Sequence, residues 1–340
     1  MTYALGVARP KQNFGPRRDP EKQAFAIVAY VPEYRVGGLD FDFVGERATD
    51  LILFSAEPTT SGGLKFYFGH DDLKRAYSLR EDHGVRLLLC IGGGGRSAHF
   101  AQVARDPHLR EAFASTLLET MKKYKLQGVD FDWEQPVNQE EAALYSQLLV
   151  LASDLLQPKN YMVTVAVHPW QTYLSPQAKK RVDRVHVMSY DHQGKHATYK
   201  DAKGDVMAML KSGFPPHKIT LGIPGYGRSL KNSGDVRTYE EIVRDYAPDA
   251  ADDTAGPAEY FFNGQKTLEK KTQYALKKGL AGVMLWEAGQ DTKDDETSLL
   301  STIKRAVEAS GEVVRKFSAR EEVGESTGGR RRRRLAVDEL

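Results

Sequence analysis

Eight short β-rich segments recur along this chain, and a helix-like stretch follows each of them. The first four are FAIVAYVPEY (25–34), TDLILFSAEP (49–58), GVRLLLCIGG (84–93) and QGVDFDWE (127–134). The other four are YMVTVAVHP (161–169), DRVHVMSYD (183–191), KITLGIPGYG (218–227) and LAGVMLWEAG (280–289). Several are continuous apolar runs, as expected of parallel strands buried on both faces. Between them, HLREAFASTLLETMKKY (108–124) and EEAALYSQLLVLASDLL (140–156) place apolar residues at helical spacing with charges opposite. DVMAMLKSG (205–213) and TLEKKTQYALKKG (267–279) end in Gly, a helix C-terminal signal. Eight such alternations predict an α/β chain closed as a (β/α)8 TIM barrel. An open doubly wound sheet is the alternative. It would need a glycine-rich turn after the first strand, whereas the glycine run 92–95 follows the third and lacks the G-x-G-x-x-G spacing.

The chain's 340 residues suit one such barrel, which spans about 200 to over 400. The barrel is expected over 23–315, between a flexible segment at 1–22 and a flexible Arg-rich tail at 316–340. The interval between the seventh and eighth strands holds a polar stretch, PDAADDTAGP (248–257), that reads as loop. It is too short for a sizeable insertion domain. The net charge of +2 owes five positive charges to the run 330–334, so the body is mildly acidic and nucleic acid is not an expected partner. No apolar run approaches the roughly 20 residues of a membrane span, so no membrane is expected either. A single cysteine, Cys90, excludes an intrachain disulfide and any multi-cysteine metal site.

The fourth segment carries the chemistry. Asp130, Asp132 and Glu134 alternate with Val129, Phe131 and Trp133. Alternate side chains of a strand share a face, about 6.6–6.8 Å apart along it. In a barrel the acids would point to the axis and rise toward the C-terminal mouth, while Phe131 and Trp133 face the helices. Three carboxyls in so narrow a space cannot all ionise cheaply, which suits a general acid working near neutral pH. A Mg²⁺ site on these acids is a competing reading, but no phosphate loop accompanies it.

GVDFDWE resembles the D-G-x-D-x-D-x-E signature of family 18 glycoside hydrolases, the chitinases and their relatives. Other motifs follow in barrel order. CIGGGG (90–95) resembles S-x-G-G on the third strand, with Gly92 and Gly93 lining the substrate cleft. MSYD (188–191) matches M-x-Y-D on the sixth strand. LGIPGYGR (221–228) and GVMLWEAGQD (282–291) resemble the seventh- and eighth-strand motifs. The resemblance implies hydrolysis of β-1,4-linked N-acetylglucosamine polymers and oligomers by a retaining, substrate-assisted route, without cofactor or metal. Glu134 would protonate the glycosidic oxygen, and the substrate's acetamido oxygen would attack C1 to give an oxazolinium ion. Asp132 would accept from the acetamido N–H and share a proton with Asp130 beneath it, and Tyr190 would donate to the acetamido oxygen. Trp286 would floor the sugar site, with Asp191 and Arg228 as hydrogen-bonding partners and Met188 as wall. Tyr30 would sit near the lowest acid, and His168 and Trp170 would line the cleft or serve packing.

The implied partner is chitin or its oligosaccharides, met by a monomer. The short seventh-to-eighth interval implies an open groove and endo-type cleavage. An endo-β-N-acetylglucosaminidase acting on N-glycans would use the same acids. A non-catalytic chitin-oligosaccharide lectin would usually lack one of them. The family points to the extracellular or secretory route, yet no signal peptide is visible, and the terminal VDEL resembles K-D-E-L without its basic residue.

Two residues depart from the pattern. Gln127 replaces the first Asp of the signature, and Cys90 replaces the Ser of S-x-G-G. A thiol is a weak donor, so Asp130 is expected to be held less firmly. Cys90→Ser should therefore displace the pH–rate profile; an unchanged profile would refute this.

Overall fold

A strand with apolar residues on both faces must be covered on both. The computed structural model describes residues 24–312, and in it all eight segments form parallel strands around one ring. They are β1 (Ala26–Pro32), β2 (Asp50–Pro58), β3 (Arg86–Gly92), β4 (Gly128–Asp132), β5 (Met162–Val167), β6 (Arg184–Val187), β7 (Ile219–Pro224) and β8 (Gly282–Trp286). The ring closes where β1 pairs with β2 on one side and β8 on the other, Val28 opposite Asp50 and Ala26 opposite Gly282. A Cβ at Gly282 would lie 2.1 Å from the Ala26 carbonyl oxygen, so the closing strand needs glycine there. Closure leaves none of the eight strands with a free edge.

Period-two alternation divides the core into two layers. Outward residues such as Phe131 and Trp133 pack under the helices: Phe131 meets Phe113, and Trp133 stacks on Phe100 at 5.3 Å. Inward residues, including Tyr30, Phe54, Cys90, Met188, Tyr190 and Met284, fill the barrel. The expected helices are present at Pro107–Lys123, Gln139–Leu156, Tyr199–Lys211 and Gln265–Lys277. The third begins six residues before the expected start, because the Thr198 side chain caps it by accepting from the Asp201 N–H at 3.1 Å.

The interval after β7 differs from the plain loop expected. Strands Tyr226–Ser229, Val236–Thr238, Thr254–Ala255 and Tyr260–Phe261 form a small antiparallel sheet beside helix Tyr239–Tyr246. That helix starts with a capping box between Thr238 and Glu241, a signal present in the sequence as TYEE. The insertion remains small, consistent with the length argument. The segments expected to flank the barrel, 1–22 and 316–340, lie outside the described residues. Among the described residues no helix is long and apolar enough to cross a membrane.

Opposite the mouth, the barrel floor is tied by buried charge. Arg86 and Arg184 approach the two oxygens of Asp50 at 2.6 and 3.1 Å, and Thr49 donates to it at 2.6 Å. Burial alone would push the Asp50 carboxyl up, but the two guanidinium groups outweigh it and hold the acid ionised. Removing one partner of such a cluster strands the others. Asp50→Asn should therefore lower the unfolding free energy by about 3–5 kcal/mol. Urea denaturation will measure this as a fall in midpoint; a loss under about 1 kcal/mol would contradict it.

Candidate active site

The inward face of β4 delivers the three acids as the alternation requires. Asp130 is fully buried and Asp132 is 3% exposed, while the Glu134 side chain reaches partial exposure at the mouth. Asp130 is gripped from two other strands, β1 across the barrel and β5 beside it. The Tyr30 hydroxyl donates to Oδ2 at 2.6 Å and the Thr164 hydroxyl to Oδ1 at 2.6 Å. Cys90 lies opposite Asp130 in the β3–β4 register and adds a thiol donor. His186 Nε2 stands 3.6 Å from Oδ1. Burial lowers the His186 pKa to about 3, so this imidazole is neutral. Burial also pushes Asp130 up to about 7, against the pull of its three donors.

Asp132 is raised well above the carboxylate range by burial, then by the charges of Glu134 and Asp130. Its Oδ1 is buried without a hydrogen-bond partner. Near neutral pH the trio therefore keeps at least one proton. Ser97 fixes the strand end: its hydroxyl donates to the Asp132 carbonyl at 3.2 Å and accepts from the Glu134 N–H at 3.0 Å.

Gly92 and Gly93 adopt φ of +100° and +98°, and a Cβ on either would collide, with the Asp132 carbonyl oxygen or with Phe54. The chain thus hugs β4 there, and Gly93 N–H donates to the Asp132 carbonyl at 2.6 Å. A Cβ on Gly94 would lie 3.8 Å from Glu134 Oε1, so no side chain covers the acid on that side.

Tyr190 is buried inside the barrel, and burial pushes its phenol well above the usual value, leaving a protonated donor. Asp191 behaves oppositely. Burial pushes it up, but hydrogen bonds from His196, Arg228 and Tyr226 outweigh this and hold it well below the carboxylate range. Tyr226 Oη and Arg228 Nε both donate to Oδ1 at 2.6 Å. Trp286 is half-buried at the end of β8, against Phe54 at 4.7 Å and Tyr30 at 5.5 Å. Met188 lies in the same inner cluster. The structure therefore gathers all the expected residues, Glu134, Asp132, Asp130, Tyr190, Trp286, Asp191, Met188, Tyr30, Arg228, Gly92 and Gly93, at or just below one mouth. His168 stands 3.5 Å from Glu134. Among the described residues no group of three or more His, Cys, Asp or Glu side chains is placed to hold a metal ion.

Sequence reasoning missed Thr164, Phe54 and Tyr226. Thr164 was recoverable: alternation along β5 puts Met162, Thr164 and Ala166 on the inner face. Tyr226 depended on the chain bending out of β7 into the small sheet.

Known proteins resemble this chain in sequence and in fold. The family model described as Glycosyl hydrolases family 18 matches residues 21–291. Chitinase 1 of Aphanocladium album is 24% identical over 340 aligned positions, covering 81% of this chain and 80% of that protein. The solved GH18 chitinase of Flavobacterium johnsoniae superposes with a TM-score of 0.75 at 24% identity, covering 84% of this chain and 94% of that one. A GH18 chitinase mutant of Cycas revoluta, solved with (GlcNAc)4, gives 0.74 at 22% identity, covering 83% and 99%.

The grip on Asp130 makes a signed prediction. Thr164→Val removes a donor to the ionised form, so the Asp130 pKa rises and the associated limb of kcat/KM against pH moves to higher pH. Cys90→Ser supplies a stronger donor and should move the same limb the other way. Shifts of one sign in both variants would contradict the assignment.

Proposed function

The chain belongs to glycosyl hydrolase family 18 and is a glycoside hydrolase, and from that premise we propose that it cleaves β-1,4-linked N-acetylglucosamine chains with retention of configuration. The observation that carries this reading is the inward trio of β4, with a buried Asp132 oxygen lacking any partner. An acetamido N–H is the donor that such an oxygen can take.

In the proposed reaction Glu134 gives its proton to the glycosidic oxygen as the C1–O bond breaks. The acetamido carbonyl oxygen bonds to C1, forming an oxazolinium ion whose N–H is held by Asp132. Tyr190, kept protonated by burial, donates to the acetamido oxygen and aims it. The proton shared by Asp130 and Asp132 lets Asp132 gain negative character as the ion forms. Water then adds to C1, and Glu134 takes back a proton. Trp286 offers an apolar face to the sugar's C–H groups. The ionised Asp191, with Arg228 beside it, supplies hydrogen bonds.

The insertion after β7 is a small sheet and one short helix. We take the groove to be open and the cleavage endo-type. Membership of the family does not separate chitin from N-glycan cores, and the chitinases among the relatives favour chitin.

The test is wild type against Glu134→Gln on chitin oligosaccharides and on a high-mannose glycopeptide. Wild type should release mixed oligomers from a long chitin oligosaccharide and leave the glycopeptide intact. Glu134→Gln should lose about 10²–10⁴-fold in kcat while still binding the oligosaccharide. Turnover of the glycopeptide alone, or dimers released only from one end, would overturn the respective part of the reading.

A further inference from the structure

Nε2 of His186 is a buried polar atom with no hydrogen-bond partner. The side chain is 1% exposed on β6, where alternation turns it into the barrel with Arg184. Arg184, one step below on the same strand, lies 3.1 Å from Asp50. Asp130 stands beside His186 on one side, and the Tyr30 ring lies perpendicular to the imidazole at 6.1 Å. Burial and then the Arg184 charge outweigh the pull of Asp50, so His186 stays neutral throughout the range in which Asp130 titrates.

A neutral imidazole has one N–H and one bare nitrogen, and its neighbours decide which is which. Nδ1 meets the Thr220 hydroxyl at 2.6 Å. That hydroxyl has one proton to give, and its other acceptor, the Val185 carbonyl oxygen, is farther away at 3.3 Å. The shorter contact takes the proton: Thr220 donates to Nδ1, and the imidazole carries its own proton on Nε2. Nε2 lies 3.6 Å from Asp130 Oδ1. This oxygen already accepts from Thr164, so it meets His186 as an acceptor. The opposite tautomer would set two lone pairs against each other in a dry barrel.

At 3.6 Å the contact is longer than a hydrogen bond, so Nε2–H is a donor in reserve. Such contacts tighten in the reacting complex. In the proposed reaction one proton moves between Asp130 and Asp132. When it passes to Asp132, the O–H bond on Asp130 breaks, its electron pair stays there as charge, and an O–H bond forms on Asp132. The donors around Asp130 set how readily this happens. Cys90, opposite Asp130 in the β3–β4 register, is the weak one among them.

We infer that His186 is a positioning residue for the shared proton: from Nε2 it donates to Asp130 as that acid ionises, which holds the proton on Asp132 and supplies the donor strength that Cys90 lacks. The kinetic consequence rests on the glycosidase reading given above; the tautomer does not.

Two measurements on the full chain test this. Heteronuclear NMR of histidine-labelled protein, with the His186 signals identified by their loss in His186→Gln, should show a protonated Nε2 and a bare Nδ1. The second is kcat/KM on chitotetraose against pH. His186→Leu removes the donor to the ionised acid, so the limb assigned to Asp130 should move to higher pH by about 0.5–1 pH unit, the worth of one hydrogen bond. His186→Gln brings an amide N–H to the same side and should return the limb most of the way to wild type, whereas a side chain that only fills space would leave the two variants alike. Adding Cys90→Ser to His186→Leu should move that limb back to lower pH. A proton on Nδ1, a limb unmoved or moved to lower pH in His186→Leu, no difference between the Leu and Gln variants, or no return in the double variant would overturn the inference. Wild-type enzyme inert on chitotetraose would overturn the function, and the proton-holding role with it, whatever the tautomer.

Discussion

Asp130 sits at the centre of the barrel with a hydroxyl on each oxygen, Tyr30 on one and Thr164 on the other, both at 2.6 Å. Much of the molecule serves that contact. Tyr30 comes from β1, Thr164 from β5 and the neighbouring thiol from β3, so the ring must close before the acid finds its donors. Even so, burial outweighs the three donors and leaves the carboxyl titrating near 7. The strand above inherits the consequence. Asp132 is buried, lies between two other acids and retains a proton that Asp130 can share. The fold thus holds a small store of protons under the Glu134 carboxyl.

The rim shows the opposite use of charge. Asp191 lies at the exposed edge of the mouth, where hydrogen bonds from His196, Arg228 and Tyr226 outweigh burial and keep it ionised. Two carboxyls a few residues from the same pocket are therefore set to different charge states by their partners rather than by their own chemistry. The small sheet after β7 is what makes the difference, since Tyr226 and Arg228 both lie on its first strand. An insertion too small to form a domain still fixes the ionisation of a residue at the mouth.

Much of this was legible from residues alone. The eight apolar runs located the strands to within a few residues, because strands buried on both faces carry a strong signal. Alternation in GVDFDWE gave the inward direction of the acids, since a strand has only two faces. The grip on Asp130 was only partly legible. Cys90 suggested a weakened hold, and the structure supplies Thr164 from the next strand; alternation gives its inward direction, but its pairing with Asp130, 34 positions away, follows only from the register of the two strands. The helix Tyr239–Tyr246 hid for another reason: at eight residues it offers too few turns for a periodic stripe, and only its capping box marks it. His168 and Trp170 were visible as residues beside the cleft, but the stacking of their rings depends on Gln171, which accepts from the His168 N–H and whose role follows from the loop's path and not from its sequence.

In the proposed reaction the acids of β4 serve the substrate's own acetamido group, and no water attacks C1 until that group has done so. Its consequence is stereochemical. Proton NMR of the first-formed products from a chitin oligosaccharide, recorded before mutarotation, tests this most directly. The account predicts the β-anomer at the new reducing end, decaying slowly to the equilibrium mixture. Initial release of the α-anomer would mean direct attack by water, and would contradict it.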